Sequence, residues 1–265
     1  MTMNQNHNQP PAEPPGFPDL SRVMFILLAT IGLTFGVGLI GALLGASSWL
    51  FLLEALIILP ALVFVIQQRL PFLTIFRIHP VNSKIIFASI ILGVSFSVVI
   101  DGIDRLVQLV LPMPESLQQA MQEALKIQSV SDFIIIVFSA VFLASILEEM
   151  LFRGFVQVSF ENHLDVTRAV MATAFLFAII HLNPWGTIQF TLFGIILGVI
   201  AWKSNSIIPP VIVHLINNAI ALTFTNLPQQ NIQWYLQNDF INPAILIVAI
   251  AATFWGMKLF YEYND

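Results

Sequence analysis

The chain has 265 residues, of which 57% are hydrophobic and only 9% are charged, with a mean hydropathy of +0.86. Soluble domains carry about one-quarter charged residues, so this composition excludes an ordinary soluble protein and indicates a chain that crosses a membrane several times. The absence of cysteine excludes disulfides, thiol catalysis and thiolate metal ligands. The net charge of −5 is spread thinly, and no basic cluster indicates a nucleic-acid partner.

The first twenty residues are polar and contain five prolines. Such a segment cannot bury a hydrophobic core, and it lacks the basic start of a signal peptide. We therefore expect a disordered cytoplasmic tail over residues 1–20, followed by a single integral membrane domain over residues 21–265.

Hydrophobic segments long enough to cross a hydrocarbon layer of about 30 Å follow along the chain. The predicted fold is an all-α membrane bundle of about eight transmembrane helices, with a surface-lying amphipathic segment at Met113–Val130 between the third and fourth. The eight predicted spans are Arg22–Gly45, Ser48–Gln67, Lys84–Leu111, Asp132–Gln157, Val166–Leu182, Gly186–Lys203, Ser206–Leu227 and Ile241–Tyr261.

The basic residues predict the orientation, because Lys and Arg concentrate in cytoplasmic loops. With a cytoplasmic N-terminus, eight of the ten basic residues fall at inner helix ends. They are Arg22, Arg69, Arg77, Lys84, Arg153, Arg168, Lys203 and Lys258. We expect both termini to face the cytoplasm in this multi-pass protein.

Polar residues interrupt three of the apolar segments at a similar predicted depth. Counting about 1.5 Å per residue from the inner ends places Glu148, His181, His214 and Asn218 roughly 12 to 20 Å deep. A charge at the centre of a bilayer costs roughly 2.5 to 3.5 kcal/mol on insertion scales, so such groups face a protein interior or a wet cavity. The depth therefore predicts one shared site.

The spacing of these residues suggests roles. Glu149 and Arg153 are four apart, which predicts an ion pair on one helix face, and His214 and Asn218 are also four apart, so both could donate to one oxygen. A carboxylate in a partly dry cavity is a strengthened base toward water, and preorganised donors stabilise a tetrahedral oxyanion. Peptide hydrolysis fits this set, although each residue taken singly also fits interhelical hydrogen bonding.

Other intramembrane charges lie at a different depth, toward the outer face, and we interpret them as structural. Asp101 and Arg105 are four apart and are expected to pair, with Asp104 and Glu54 nearby. The three remaining histidines are expected to be solvated in the tail or inner loops: His7, His79 and His163. Three glycine pairs have the spacing that allows close helix approach, namely Gly32 and Gly36, Gly41 and Gly45, and Gly194 and Gly198.

Three sequence blocks resemble those of a known family: Glu148-Glu149-Met-Leu-Phe-Arg153, Phe177-x-x-x-His181, and His214-x-x-x-Asn218. In this order, each in its own apolar segment, they resemble the CPBP intramembrane endopeptidases, also called the Abi or type II CAAX protease family. The resemblance covers about residues 132–225 and implies an eight-helix core with a cavity open toward the cytoplasm.

The resemblance also implies residue roles. Glu148 would be the general base that activates water, and His181 would help to position that water. His214 and Asn218 would hold the oxyanion. The supporting residues would be Glu149 and Arg153, which secure the helix of the base, and Phe177, which shapes the wall beside His181.

The cofactor is left open between two alternatives. The family has been described both as metal-independent glutamate proteases and as metalloproteases, so a zinc ion bound by Glu148, His181 and His214 is the alternative to no metal. The absence of a helical HExxH pattern and the weakness of Asn as a zinc ligand favour the metal-free alternative.

The predicted function is an intramembrane endopeptidase that cleaves a peptide or membrane-associated protein. The main alternative is a non-catalytic binding or immunity-type membrane protein that uses the same polar layer for helix packing or peptide recognition. A transporter or channel is less well supported, because the sequence has no inverted repeats and no paired broken helices.

Overall fold

The structure is a computed structural model that describes residues 16–43, 52–53 and 55–264. These residues are almost wholly helical, which confirms the all-α prediction. In this part of the chain the strands form one short antiparallel hairpin, in which β1 (Leu236–Gln237) pairs with β2 (Phe240–Ile241).

The helices follow one another along the chain with short connections. They are α1 (Leu20–Leu43), α2 (Leu59–Gln67), α3 (Phe72–Ile75), α4 (Ser83–Val110), α5 (Glu115–Ala124), α6 (Val130–Glu161), α7 (Val166–Ile180), α8 (Thr187–Ser204), α9 (Ile208–Asn226) and α10 (Pro243–Asn264). A 3₁₀ turn at Gln229–Ile232 precedes the hairpin.

Within the described residues, six helices are long and apolar enough to cross a membrane: α1, α4, α6, α8, α9 and α10. This makes the chain an integral multi-pass membrane protein, but the predicted count of eight is not confirmed. Helix α7 is apolar but has 15 residues, or about 22 Å, which is shorter than the hydrocarbon layer. Helix α2 has nine residues, and residues 48–51 and 54 of the predicted second span lie outside the described residues.

Helix α6 is not a uniform α-helix. It begins after Ser129, whose hydroxyl caps it by accepting from the N–H of Asp132 (3.1 Å). Two π-helical stretches, Val137–Leu143 and Met150–Val156, flank the short α-helical stretch Ala144–Glu149. Short π-helical insertions are rare and frequently mark functional sites, so the position of Glu148 and Glu149 between two of them singles out this stretch.

Helix α4 is central to the bundle, where it packs against α8, α9 and α10, while α7 and α8 pack closely against each other. A Cβ at Gly194 would lie 3.0 Å from Ala174, so the predicted close approach at this glycine pair is confirmed. No described atom lies within 4 Å of a Cβ added at Gly32 or Gly36, so this pair does not make the predicted contact there. Gly45 of the remaining pair lies outside the described residues.

Helix α5, which lies within the predicted amphipathic segment, has no buried residue. Residues 1–15 of the predicted tail lie outside the described residues. The rest of that tail is packed: Phe17 contacts the core, Pro18 is buried, and the Pro18 carbonyl lies 3.1 Å from His163 Nε2.

Asp101 and Arg105 form an ion pair on α4, as predicted. Arg105 Nε donates to Asp101 Oδ1 at 3.1 Å, and the Tyr235 hydroxyl donates to Asp101 Oδ2 at 2.7 Å. Burial, and then the bond to Asp101, raises the pKa of the Tyr235 phenol far above its ordinary value. These bonds fasten the hairpin region to α4, whereas the expected neighbour Glu54 lies outside the described residues.

Candidate active site

Glu149 is the centre of a buried ion network. Its Oε1 accepts from Arg153 Nη1 at 3.0 Å, so the predicted ion pair is present, and it also accepts from His214 Nδ1 at 2.8 Å. Glu149 and Arg153 are both 0% exposed. Arg153 Nη2 donates to the Gly194 carbonyl at 3.2 Å, and its guanidinium lies 4.4 Å from the centroid of the Phe177 ring. The arginine is therefore held by an anion, a carbonyl and an aromatic face.

Glu148 lies on the neighbouring face of α6, rotated by about 100° from Glu149. Its carboxylate is buried, and Oε2 lies 3.9 Å from His181 Nε2 and 3.9 Å from His214 Nε2. Three side chains from α6, the end of α7, and α9 thus converge on one point, as the matched depths predicted.

The second ring nitrogen of each histidine is already occupied. His181 follows the last residue of α7, and its Nδ1 lies 2.7 Å from the Phe177 carbonyl. A carbonyl can only accept, so this nitrogen carries the hydrogen. His214 Nδ1 likewise carries a hydrogen, which it donates to Glu149. Both residues consequently present Nε2 toward Glu148.

Asn218 has different partners from those that the sequence suggested. Its Nδ2 donates to the Ala140 carbonyl at 3.0 Å and lies 3.4 Å from the Ser145 hydroxyl. The π-helical stretch explains the first bond, because the Ala144 N–H bonds to Ser139 instead of to Ala140 and leaves that carbonyl without its usual α-helical donor. In the described residues, His214 and Asn218 share no hydrogen-bond partner.

Aromatic rings enclose the two imidazoles. Phe177, the predicted wall residue, makes edge contacts with His181 at 4.8 Å and with His214 at 5.9 Å between ring centroids. Phe190 stacks on His181 at 4.4 Å, and Phe193 meets His214 edge-on at 5.4 Å. The rings restrict both imidazoles to their observed orientations.

A cavity of about 380 Å³ opens beside Glu148 and His181, and we call it the α1 cavity. Its other walls are mostly apolar side chains of α1 and of the segment before α2. The cavity gives an apolar group access to the carboxylate from one side.

The segment that holds these residues matches a known family model. Residues 130–220 match the model described as type II CAAX prenyl endopeptidase Rce1-like. The chain carries an Rce1-like segment. No curated protein and no solved structure shows significant similarity to the chain. The match confirms the resemblance and supports a membrane-embedded protease that acts on a peptide or protein.

All seven residues that sequence motifs singled out lie inside the Rce1-like segment. The structure brings six of them into one connected cluster, and Asn218 lies one helical turn from His214 with partners on α6.

Sequence reasoning missed that the row of polar residues formed by Glu149 and Arg153 continues along the same helix. Gln157 and Glu161 continue the four-residue spacing of Glu149 and Arg153 along α6. Gln157 Nε2 donates to the Gly198 carbonyl at 2.9 Å and to Glu161 at 2.8 Å. The repeated spacing itself was the available signal.

Arg77 completes this row from outside the Rce1-like segment. The sequence placed it at a cytoplasmic helix end, but the structure buries it to 4% exposure and pairs it with Glu161. Its Nη1 also reaches the Arg153 carbonyl at 3.5 Å, and its Nε donates to Asn205 at 3.2 Å. Arg77 thereby links the C-terminal part of α6 to the turn between α8 and α9.

The donor set suits zinc in its chemistry, since two Nε2 atoms and a carboxylate face each other and each Nδ1–H is fixed by an acceptor. Within residues 16–43, 52–53 and 55–264, however, no group of three His, Cys, Asp or Glu side chains is arranged to hold a metal ion.

Proposed function

We propose that the protein is an intramembrane endopeptidase in which Glu148 activates a water molecule for attack on a peptide carbonyl. The observation that carries this proposal is the convergence of two histidine Nε2 atoms on one buried carboxylate oxygen, each at 3.9 Å. The Rce1-like match supports the same reaction class.

The separations suit a bridging water. A distance of 3.9 Å is too long for a direct hydrogen bond, whereas one water that makes contacts of about 2.8 Å to both atoms spans it. A water between Glu148 and His181 would donate one hydrogen to the carboxylate and one to the neutral Nε2. The two groups would fix its position and aim a lone pair at the substrate.

The reaction then balances through Glu148. As the water oxygen bonds to the carbonyl carbon, Glu148 takes its proton, and the carbonyl electron pair moves onto oxygen. When the C–N bond breaks, Glu148 returns the proton to the leaving amine. His214, as an imidazolium paired with Glu149, would donate its Nε2–H to the oxyanion.

Asn218 can join this oxyanion site only by exchanging partners. Its two amide hydrogens face Ala140 and Ser145. Return of the Val137–Leu143 stretch to α-helical bonding would give the Ala140 carbonyl a backbone donor and release the carboxamide. We include this exchange in the proposal as a step that accompanies substrate binding.

Zinc is the alternative arrangement of the same residues, with Glu148, His181 and His214 as its ligands. Bound zinc would supply a Lewis acid that makes water a better nucleophile. We propose the metal-free form, and elemental analysis of the purified protein with cleavage measured after chelation decides between them. Stoichiometric zinc together with chelator-abolished cleavage would refute the metal-free form.

The primary experiment compares the parent protein with Glu148→Gln, which keeps the size and polarity of the side chain but removes the base. Membrane proteins and peptides of cells that express each form are compared to find products, and cleavage is then repeated with purified protein in liposomes. Glu123→Gln on exposed α5 is the control, since it also removes one negative charge. Equal cleavage by Glu148→Gln and parent would show that the enzyme assignment is wrong, and binding without cleavage by the parent would favour the non-catalytic alternative.

A further inference from the structure

A second cavity is linked to His181 through Phe190, and we call it the α5 cavity. Its volume is about 530 Å³, within the range of roughly 300 to 1,000 Å³ that is typical of ligand pockets. Phe190 lines it and also stacks on His181 at 4.4 Å. The chain divides the two cavities after this histidine, because Leu182 lines the α1 cavity and Asn183 lines the α5 cavity. A substrate chain passing His181 would therefore meet both cavities.

The two cavities differ in chemistry. The α1 cavity is largely apolar, whereas polar side chains from four parts of the fold line the α5 cavity. They are Asp104 and Gln108 on α4, Gln118 and Gln122 on α5, Asn183 before α8 with Gln189 in its first turn, and Thr225 on α9.

The amide side chains are suited to a peptide backbone. A carboxamide both donates and accepts hydrogen bonds, as a peptide group requires. The side chains of Gln118, Gln122 and Gln189 make no hydrogen bond to another described residue, so their carboxamides are available to a ligand. Gln108 is already fixed, since its oxygen accepts from the Met113 N–H at 2.9 Å and its nitrogen lies 3.4 Å from Asp104.

Asp104 is the one charged side chain among the described residues that line the α5 cavity. The adjacent cation, Arg105, is directed elsewhere, to Asp101 and to the Asp239 carbonyl. Apart from its long contact with Gln108, Asp104 has no hydrogen-bond partner in the described part of the chain. A half-buried carboxylate whose neighbouring cation is paired with another group is stabilised by a positively charged ligand group.

We propose that the α5 cavity binds the polar segment of the peptide on one side of the scissile bond, and that Asp104 selects a Lys or Arg in that segment. This inference rests on the proposed function for the scissile bond, but the binding itself can be measured without cleavage. The apolar part of the same substrate lies in the α1 cavity.

The test uses full-length protein carrying Glu148→Gln, so that peptides are bound and not cut. Fluorescent peptides with an apolar half and a polar half are prepared in both orders, with either Lys or Gln at one position of the polar half. Affinity is measured by anisotropy in detergent and in nanodiscs. We expect the Lys peptide to bind about tenfold more tightly than its Gln counterpart, as one hydrogen-bonded charge pair provides.

Two added substitutions locate that preference. Asp104→Asn should abolish the tenfold ratio, whereas Glu123→Gln, which removes an exposed charge outside the cavity, should retain it. Replacing Gln118 and Gln122 together with Ala should weaken both peptides and leave their ratio unchanged. Thermal unfolding is measured to check that each variant is folded. The comparison of the Lys and Gln peptides is made first on protein whose α5 cavity is unchanged, so it does not depend on the folding of a cavity variant.

The outcomes separate the two proposals. Equal affinity for both peptides, no binding, or a Lys preference that survives Asp104→Asn overturns the α5 cavity inference. A Lys preference that depends on Asp104, with no cleavage by the parent protein, supports the binding site and refutes the protease function.

Discussion

The Glu149 and Arg153 pair should be strongly coupled, because neither charge has access to water. Glu149→Gln would leave the Arg153 guanidinium buried without its anion, which we expect to cost about 3 to 5 kcal/mol in free energy of unfolding. Arg153→Met should cost less, since Glu149 keeps its 2.8 Å bond to His214. In the double variant both charges are absent, so we expect it to recover about 1 to 3 kcal/mol relative to the sum of the single losses.

The measurement is a double-mutant cycle on the free energy of unfolding, from titration of the purified protein with SDS in mixed micelles. Asp101 and Arg105 provide a matched control pair, as they have the same spacing on α4 but side chains 31% and 28% exposed. Their coupling, from Asp101→Asn and Arg105→Met, should be about 0.2 to 1 kcal/mol. A coupling for the buried pair no larger than that of the control pair would refute the reasoning from burial.

Three further substitutions test individual contacts. Phe190→Leu removes the ring stacked on His181, and it should lower kcat by up to about tenfold, as measured by steady-state peptide cleavage; unchanged kcat would contradict a positioning role. Asn218→Ala leaves the Ala140 carbonyl without its side-chain donor, and it should lower the free energy of unfolding by about 1 to 3 kcal/mol in the same SDS titration. An unchanged free energy of unfolding would show that this bond does not stabilise the π-helical stretch. Gly198→Ala should cost about 1 to 3 kcal/mol, because its Cβ would meet neighbouring side chains at 3.0 Å, whereas Gly32→Ala has open space around it and should be neutral or stabilising by up to about 1 kcal/mol, since Ala favours the helix; equal effects would show that the helix contact is more adaptable than the structure indicates.

Local sequence spacing predicted the contacts that lie within one helix. Residues four apart on a helix share a face, and for this reason the pairs Glu149 with Arg153 and Asp101 with Arg105 could be foreseen. The same rule extends the row to Gln157 and Glu161, which lie beyond the motif. The hydrophobic lengths predicted the helical class, but the count of eight spans is not confirmed, since six of the described helices are long and apolar enough to cross a membrane and α7 ends at Ile180 after 15 residues.

Contacts between helices depend on how each helix is rotated about its axis and on local departures from α-helical hydrogen bonding. The wider turns of α6 leave the Ala140 carbonyl facing Asn218, and no periodicity in the sequence marks where a helix changes its hydrogen-bond pattern. Burial of Arg77 likewise follows from the approach of Glu161, 84 positions away along the chain.

By itself the sequence determined that this chain is a helical membrane protein with a carboxylate, two imidazoles and a carboxamide held within the apolar layer, because composition and charge cost act on each segment separately. Only the tertiary structure decided which nitrogens of His181 and His214 face Glu148, that Asn218 bonds to α6, and that a polar cavity with Asp104 adjoins the site. Those features arise where several helices meet, and their relative rotations are set by packing of the whole bundle.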